Sequence, residues 1–492
     1  VTLEMTPMFD EVRIPRLVVA GAHSGAGKTT VALGLVAALS GRGRTVQTFK
    51  VGPDLTDSAY LSHASRRPCR NLDAWMLGPA GLRRSLAQGT MNADCAVIEG
   101  VMGIFDGHGL SPDEARSAGE YRFPGSTAEA ARIARCPVLL VLDVTAMAET
   151  AAAVALGVRQ LDPKLRLIGV ILNEIPSDYH RRLVEDAIWS LAKLPVLGAL
   201  PRLEAARIPE LRKGLLPLTE NPHVDEAIAH LGAAVERHCD LDLIERLMAN
   251  AESLPPAPRP VVPLRAERLR LGVAFDDAFC FYYAENLELL EDAGCEIVPF
   301  SPLDERSVPR DVDGLYFGGG FSEVFAAPLS RNRGFLDSLA RACQQGVPVY
   351  AEGGGSLLLA RTVRTGDGAV HQMAGVLPVD MAFDALPRTG YRDLRLMGDC
   401  LLGPAGTRLR GHEFHFSRLL TATDQLRAAY SVHDCDGEPL GCEGWTSPTL
   451  VASFVQLHFG QDPEIASRLV ERMRTIRHIR RLEMQSEGAL TV

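Results

Sequence analysis

The chain has 492 residues, more than one hydrophobic core of ordinary size can serve, so two domains are the starting expectation. With 51 Lys and Arg against 61 Asp and Glu the formal net charge is −10, and no basic stripe precedes the C-terminal tail, which argues against a nucleic-acid partner. The start lacks a basic segment followed by an apolar run, and the most apolar stretch, Pro137 to Leu142, is stopped by Asp143. A cytoplasmic protein without stable membrane insertion is therefore expected.

In chain order, short apolar runs alternate with helical patterns: Leu17 to Ala22, Thr45 to Val51, Cys95 to Val101, Pro137 to Val144 and Leu165 to Leu172. Such runs suit strands buried on both faces, which implies a parallel sheet flanked by helices. From Ser253 to Glu267 the chain carries Pro255, Pro256, Pro258, Pro260 and Pro263, so it forms neither helix nor central strand and reads as a linker. The pattern then restarts with Leu271 to Ala274, a helix from about Tyr283 to Ala293, Glu296 to Phe300, Gly314 to Phe317, a helix from about Asn332 to Gln345, and Val347 to Ala351. The stretch from His371 to Ser417 looks richer in strand. The expected division is 1–250, a linker at 251–267, a second α/β domain at 268–465, and a basic helix and tail at 466–492. That helix interleaves Arg468, Arg472, Arg474, Arg477, Arg480 and Arg481 with Leu469, Met473, Ile476, Ile479 and Leu482. A membrane-surface role, a solvated cationic face and a homodimer contact are its alternative readings. Ten cysteines without a CxxC pair suit reduced, packed thiols.

Chemistry first shows at the end of the first strand, where Ala22-His23-Ser24-Gly25-Ala26-Gly27-Lys28-Thr29-Thr30 runs into an apolar helix. This is a phosphate-binding loop with Ala22 in place of the usual first Gly. Its glycines let successive N–H groups curl around phosphate oxygens, Lys28 neutralises charge, and Thr29 is placed to ligate magnesium. ATP and Mg2+ are the cofactors this implies, held by Ser24, Gly25, Ala26, Gly27, Lys28, Thr29 and Thr30. Other strand ends should converge on the loop, since ligands sit beyond the carboxyl ends of parallel strands. Glu99 is the first magnesium candidate because a carboxylate ending an apolar strand has no packing reason to be there. Asp54 is the second and Asp143 the third; a surface or capping carboxylate is the competing reading for each.

In the second half, Tyr350-Ala351-Glu352-Gly353-Gly354-Gly355 reads as a strand-to-turn elbow of the kind that carries a nucleophile, with Gly353 where the nucleophile should stand. Together with the phosphate loop, Phe49-Lys50-Val51-Gly52-Pro53-Asp54, Asn71 to Leu77, Val97 to Gly107, Gly125 to Ala128 and Gly169 to Asn173, the first half resembles the cobyrinate and hydrogenobyrinate a,c-diamide synthases. Ala278 to Tyr283, Gly318 to Glu323, Gly411 to Ser417 and Leu457-His458-Phe459 extend the resemblance through the second half. The family implies an α/β, doubly wound P-loop synthetase domain of dethiobiotin-synthetase type followed by a class I glutamine amidotransferase-like α/β domain. It implies ATP-dependent amidation of acetate carboxylates a and c of a corrin-type tetrapyrrole through an acyl phosphate, with ammonia or glutamine as nitrogen source. By the same resemblance Thr29, Glu99 and Asp54 hold the metal, Lys28, Glu99 and Asp54 serve catalysis, and Lys50, Gly52, Pro53, Asp57 and Asp106 border the substrate.

Two segments depart from the family: Pro209 to Leu215 lacks an Arg-His pair, and Asp57-Ser58 stands in place of Asp-Pro. Amidation of sirohaem or another sirohydrochlorin derivative is therefore the alternative reaction. A noncatalytic tetrapyrrole- or partner-binding paralogue is the alternative role, and a partitioning-type ATPase is disfavoured because Ala22 and His23 stand where that group has an extra lysine. In the family the elbow carries a cysteine, with a distant histidine as base. The histidine is present as His458, the cysteine is replaced by Gly353, and Ser356, Cys343 and Cys280 do not fit the elbow, so direct use of ammonia is expected.

Overall fold

A computed structural model describes residues 8–108, 123–203, 210–211, 214–215, 222–259, 267–421 and 427–490. The chain divides into two compact units, Val1–Val261 and Val262–Val492.

In the first unit seven strands, β1 (Arg16–Gly21), β2 (Val46–Val51), β3 (Arg70–Leu72), β4 (Cys95–Glu99), β5 (Val138–Asp143), β6 (Leu167–Ile175) and β7 (Val196–Pro201), form one parallel sheet in the order β3-β2-β4-β1-β5-β6-β7. The order reverses around β1, so the carboxyl end of β1 lies at the crevice where doubly wound sheets take their ligands. The apolar runs are buried on both faces because alternate side chains enter different cores. Val18 and Ala20 pack with Leu140 and Leu172 on one side, while Leu17 and Val19 pack with Leu139, Val141 and Ile171 on the other. Fully burying one such side chain contributes about 1.5–3 kcal/mol, which is why this sheet needs no polar face. Two short strands, β8 (Glu210–Leu211) and β9 (Gly214–Leu215), pair as a small antiparallel ribbon. The rest of the segment Pro209 to Leu215, with its departure from the family pattern, lies outside the described residues.

The proline-rich segment begins as part of this unit. Leu254 and Ala257 are buried, Val12 and Leu254 exchange main-chain hydrogen bonds at 3.1 Å, and Phe9 N donates to Ala257 O at 2.8 Å. The fully buried Arg16 donates to the carbonyls of Ala134, Ile14 and Glu252, fastening the same strap to the start of β1. The expected linker is thus clamped over residues 252–258, and its stretch 260–266 lies outside the described residues.

In the second unit β10 (Leu269–Ala274), β11 (Cys295–Phe300), β12 (Gly314–Phe317) and β13 (Val349–Glu352) are parallel in the order β11-β10-β12-β13, and β13 pairs in parallel with the strand Leu450–Ser453. Antiparallel strands continue the sheet, including the long pair Asp380–Leu396 and Arg408–Leu419, as the sequence between His371 and Ser417 suggests. The C-terminal helix spans Glu464–Leu490. Its Ile465, Leu469, Met473 and Ile476 enter the core, and Arg477 pairs with Glu267 at 2.7 Å and Asp313 at 3.4 Å. The first part of the apolar face is therefore used inside the unit, while Ile479 and Leu482 are exposed. No described helix is long and apolar enough to cross a membrane.

Candidate active site

The loop between β1 and the helix α1 (Lys28–Gly41) turns through left-handed glycines, Gly25 at φ 84° and Gly27 at φ 92°. A Cβ on Gly27 would overlap the Asn173 carboxamide, which itself donates to Ala26 O at 3.3 Å. Asn173 on β6 thus holds the loop's shape, a role that its place in a strand does not reveal. Ser24 and Gly25 are exposed, Ala26 is buried, and Thr30 is half-buried. Lys28 donates to His23 O at 3.2 Å. Burial, and then the nearby Lys50 charge, push its ammonium below the ordinary lysine range.

Behind the loop lies a buried charge cluster. Thr29 donates to Glu99 Oε1 at 2.6 Å, and Lys50 Nζ reaches the same oxygen at 2.9 Å and Asp57 Oδ2 at 2.5 Å. Parallel pairing sets this up, because Lys50 on β2 is in register with Glu99 on β4. Burial pushes Glu99 up to about 7 against the pull of Lys50. Burial also opposes the charge on Lys50, but Asp57 and Glu99 outweigh it and hold the ammonium protonated. Glu99 Oε2 is buried and has no partner among the described residues. Removing an ion from water costs several kcal/mol, so a bare carboxylate oxygen here fits a cation. Among the described residues no group of three or more His, Cys, Asp or Glu could hold a metal.

The remaining candidates separate. Asp54 Oδ1 accepts from Thr56 N at 2.8 Å and Asp57 N at 3.3 Å, the first two amides of the helix α2 (Thr56–Ser65). Burial, then the charge of Asp57, raise it to about 6. Gly52, at φ 84°, and Pro53 lead into this turn, whose carbonyls at Gly52 and Asp54 accept from Asn71 Nδ2 at 2.9 and 2.8 Å. Asp106 Oδ2 accepts from Gly103 N at 2.9 Å and shapes the loop after β4. Asp143 accepts from Thr145 N at 2.8 Å and from its hydroxyl at 2.7 Å, the capping arrangement that competes with a metal role. In the sequence Asn71 and Asn173 figure only as parts of motifs. Their structural work depends on reaching neighbouring loops, which spacing along the chain does not encode.

In the second unit Gly353 stands between β13 and the short helix Gly354–Leu359 with φ 51° and ψ −118°. Its N–H donates to Ser453 O at 2.8 Å, so the sharp elbow persists without a side chain. His458 is buried, stacks on Tyr283 with ring centroids 4.6 Å apart, and accepts from Gly460 N at 3.1 Å. Ser356 is buried and donates to Ser453 O at 2.8 Å. Burial pushes the Cys280 thiol up to about 12 and likewise the Cys343 thiol. Burial thus disfavours the thiolate at both cysteines.

Glu352, next to Gly353, ties the elbow to the histidine strand. It accepts from Tyr316 OH at 2.8 Å, from Leu457 N at 2.8 Å and from Tyr350 OH. Burial raises its carboxyl to about 7 against these hydrogen bonds. A carboxyl raised in the folded state stabilises fully below its unfolded pKa and loses that contribution as pH rises to its folded pKa. Over roughly pH 4.5 to 7 this one group should remove up to about 3 kcal/mol. Thermal unfolding of Glu352→Gln should accordingly fall less steeply with pH than that of the wild type. Equal slopes would place the titration elsewhere.

A phosphate loop on a parallel sheet, backed by a buried Thr-Glu-Lys cluster and accompanied by an α/β unit with a nucleophile elbow, defines a nucleotide-binding protein of amidotransferase architecture. Residues 17–215 match the family model described as CobQ/CobB/MinD/ParA nucleotide binding domain, and residues 270–464 match that of the CobB/CobQ-like glutamine amidotransferase domain. The chain is 39% identical over 466 residues to a cobyrinate a,c-diamide synthase of Dehalococcoides mccartyi, covering 93% of this chain and 98% of the relative. It is 40% identical over 460 residues to that of Syntrophotalea carbinolica, with coverage of 93% and 98%. For that of Salmonella typhimurium the identity is 38% over 451 residues, with coverage of 91% and 96%. The chain belongs to the cobyrinate a,c-diamide synthase family.

Proposed function

We propose that this protein amidates the a and c acetate carboxylates of a corrin-type tetrapyrrole such as cobyrinate, using ATP and free ammonia. The observation that carries the reading is the buried Glu99 oxygen beside Thr29 and the phosphate loop, since a nucleotide-bound magnesium would satisfy it. Thr29 and Glu99, with Asp54 from the turn that leads to Asp57, would hold the ion, which supplies charge neutralisation on the phosphates. Lys28 would meet phosphate oxygens from the loop, and Lys50, paired with Glu99 and Asp57, would keep both oriented. Gly52, Pro53, Asp57 and Asp106 border the substrate in this reading.

A carboxylate is a poor electrophile, so one of its oxygens attacks the γ-phosphorus and ADP leaves. Ammonia then attacks the acyl carbon, and phosphate departs with the carboxylate oxygen. The test follows that oxygen. A substrate labelled with oxygen-18 in its acetates should yield one labelled oxygen in phosphate for each amide formed. Phosphate free of label would rule out the acyl phosphate.

A further inference from the structure

Beyond Glu99 the chain continues Gly100-Val101-Met102-Gly103, and Met102 stands there at φ 46°. This left-handed backbone is uncommon for residues other than glycine, asparagine, aspartate or histidine, and it persists only where the surroundings hold it. Here they hold it on both sides. Val101 N donates to Thr127 Oγ1 at 2.9 Å, the same hydroxyl donates to Val101 O at 3.0 Å, and Ile104 N donates to Gly21 O at 2.8 Å. Both flanks of Met102 border the site. A Cβ on Gly52 would touch Val101 at 3.6 Å, and one on Gly103 would stand 3.0 Å from Ala22 O in the phosphate loop. Glycine would suit the backbone at this position better, yet it carries a long apolar side chain that is 42% exposed. Next to the Gly52 turn, whose N–H donates to Leu72 O at 3.3 Å, β3 leads into the helix α3 (Ala74–Gly89). There the half-buried Trp75 meets His108 edge-on, with ring centroids 6.3 Å apart.

We propose that Met102 is a specificity-determining residue whose side chain takes the apolar ring of the macrocycle, with Trp75 as a second contact. This rests on the amidation reading above and adds the residues that meet the ring. The other reacting groups at this centre are charged: the phosphates, the ion at Thr29 and Glu99, and the acetate carboxylates. Adenine stands at the far end of the triphosphate from that ion, so the macrocycle is the reactant with an apolar face to offer here. Ligand sites pair such apolar lining with a few placed polar groups. Only β2 separates β3 from β4, so the ends that carry Trp75 and Met102 lie about 10 Å apart, a span that a tetrapyrrole covers.

Steady-state kinetics of the full-length protein with cobyrinate, ATP and ammonium chloride test this. Met102→Asn installs a residue that accepts the left-handed backbone and removes the apolar surface. It should raise KM for cobyrinate about tenfold and leave KM for ATP within about twofold of the wild type. Met102→Gly, which suits the backbone better still, should do the same, and Met102→Leu should restore most of the loss. Trp75→Ala should raise KM for cobyrinate as well, and Trp75→Phe less so. A Met102 with only a structural role would change the melting temperature and neither KM. Unchanged KM for cobyrinate in both Met102→Asn and Met102→Gly overturns the proposal, and so does an equal rise in the two KM values. A wild type that does not amidate cobyrinate overturns the amidation reading and this inference with it. Normal wild-type turnover with unaffected variants sinks this inference alone.

Discussion

Replacing Lys28 by Ala should lower ATP-dependent amidation by about 10²–10³-fold while leaving the melting temperature close to that of the wild type. Lys28 sits at the first position of α1, and its ammonium donates to the His23 carbonyl. Its buried stem lies beside Gly21, but removing it also relieves the cost of burying an ammonium, whereas the charge that would face a transferring phosphoryl group disappears. Glu99→Gln is the companion variant, since it keeps the shape and removes the charge; its turnover should fall and its magnesium dependence weaken. Steady-state rates over a magnesium titration, together with thermal unfolding, check both. A folded Lys28→Ala protein with substantial activity would move phosphoryl transfer away from this loop.

The second large effect concerns nitrogen. The purified wild type should amidate its substrate with ammonium salts and release no glutamate from glutamine, because Gly353 offers no atom for a thioester. If free ammonia is the attacking species, as proposed, the rate at fixed total ammonium should rise with pH. The rise should end where Lys28, already pushed down by burial and by Lys50, gives up its proton. An assay of glutamate release decides the matter: robust glutamine-dependent turnover without a partner glutaminase would mean that another nucleophile serves.

The phosphate loop is legible in the sequence because its glycines, Lys28 and Thr29 carry their meaning at fixed spacing. Glu99 is legible because a carboxylate ending an apolar strand has few other reasons to be buried. Asp54 and Asp143 also accept hydrogen bonds from the backbone of their own turns, and strand-end position alone does not reveal those contacts. The resemblance places Lys50 at the substrate, while its contacts in the structure are with Asp57 and Glu99. The contact with Glu99 depends on the pairing of β2 with β4, which spacing along the chain does not show.

Since Met8 pairs with Pro258 and Val12 with Leu254, the described part of the first unit starts and finishes at one place on its surface. A unit whose ends meet can be joined to a different neighbour, or inserted in another chain, with its sheet undisturbed. Excision at residue 250 would instead strip Leu254 and Ala257 from the core and leave Arg16 without the Glu252 carbonyl.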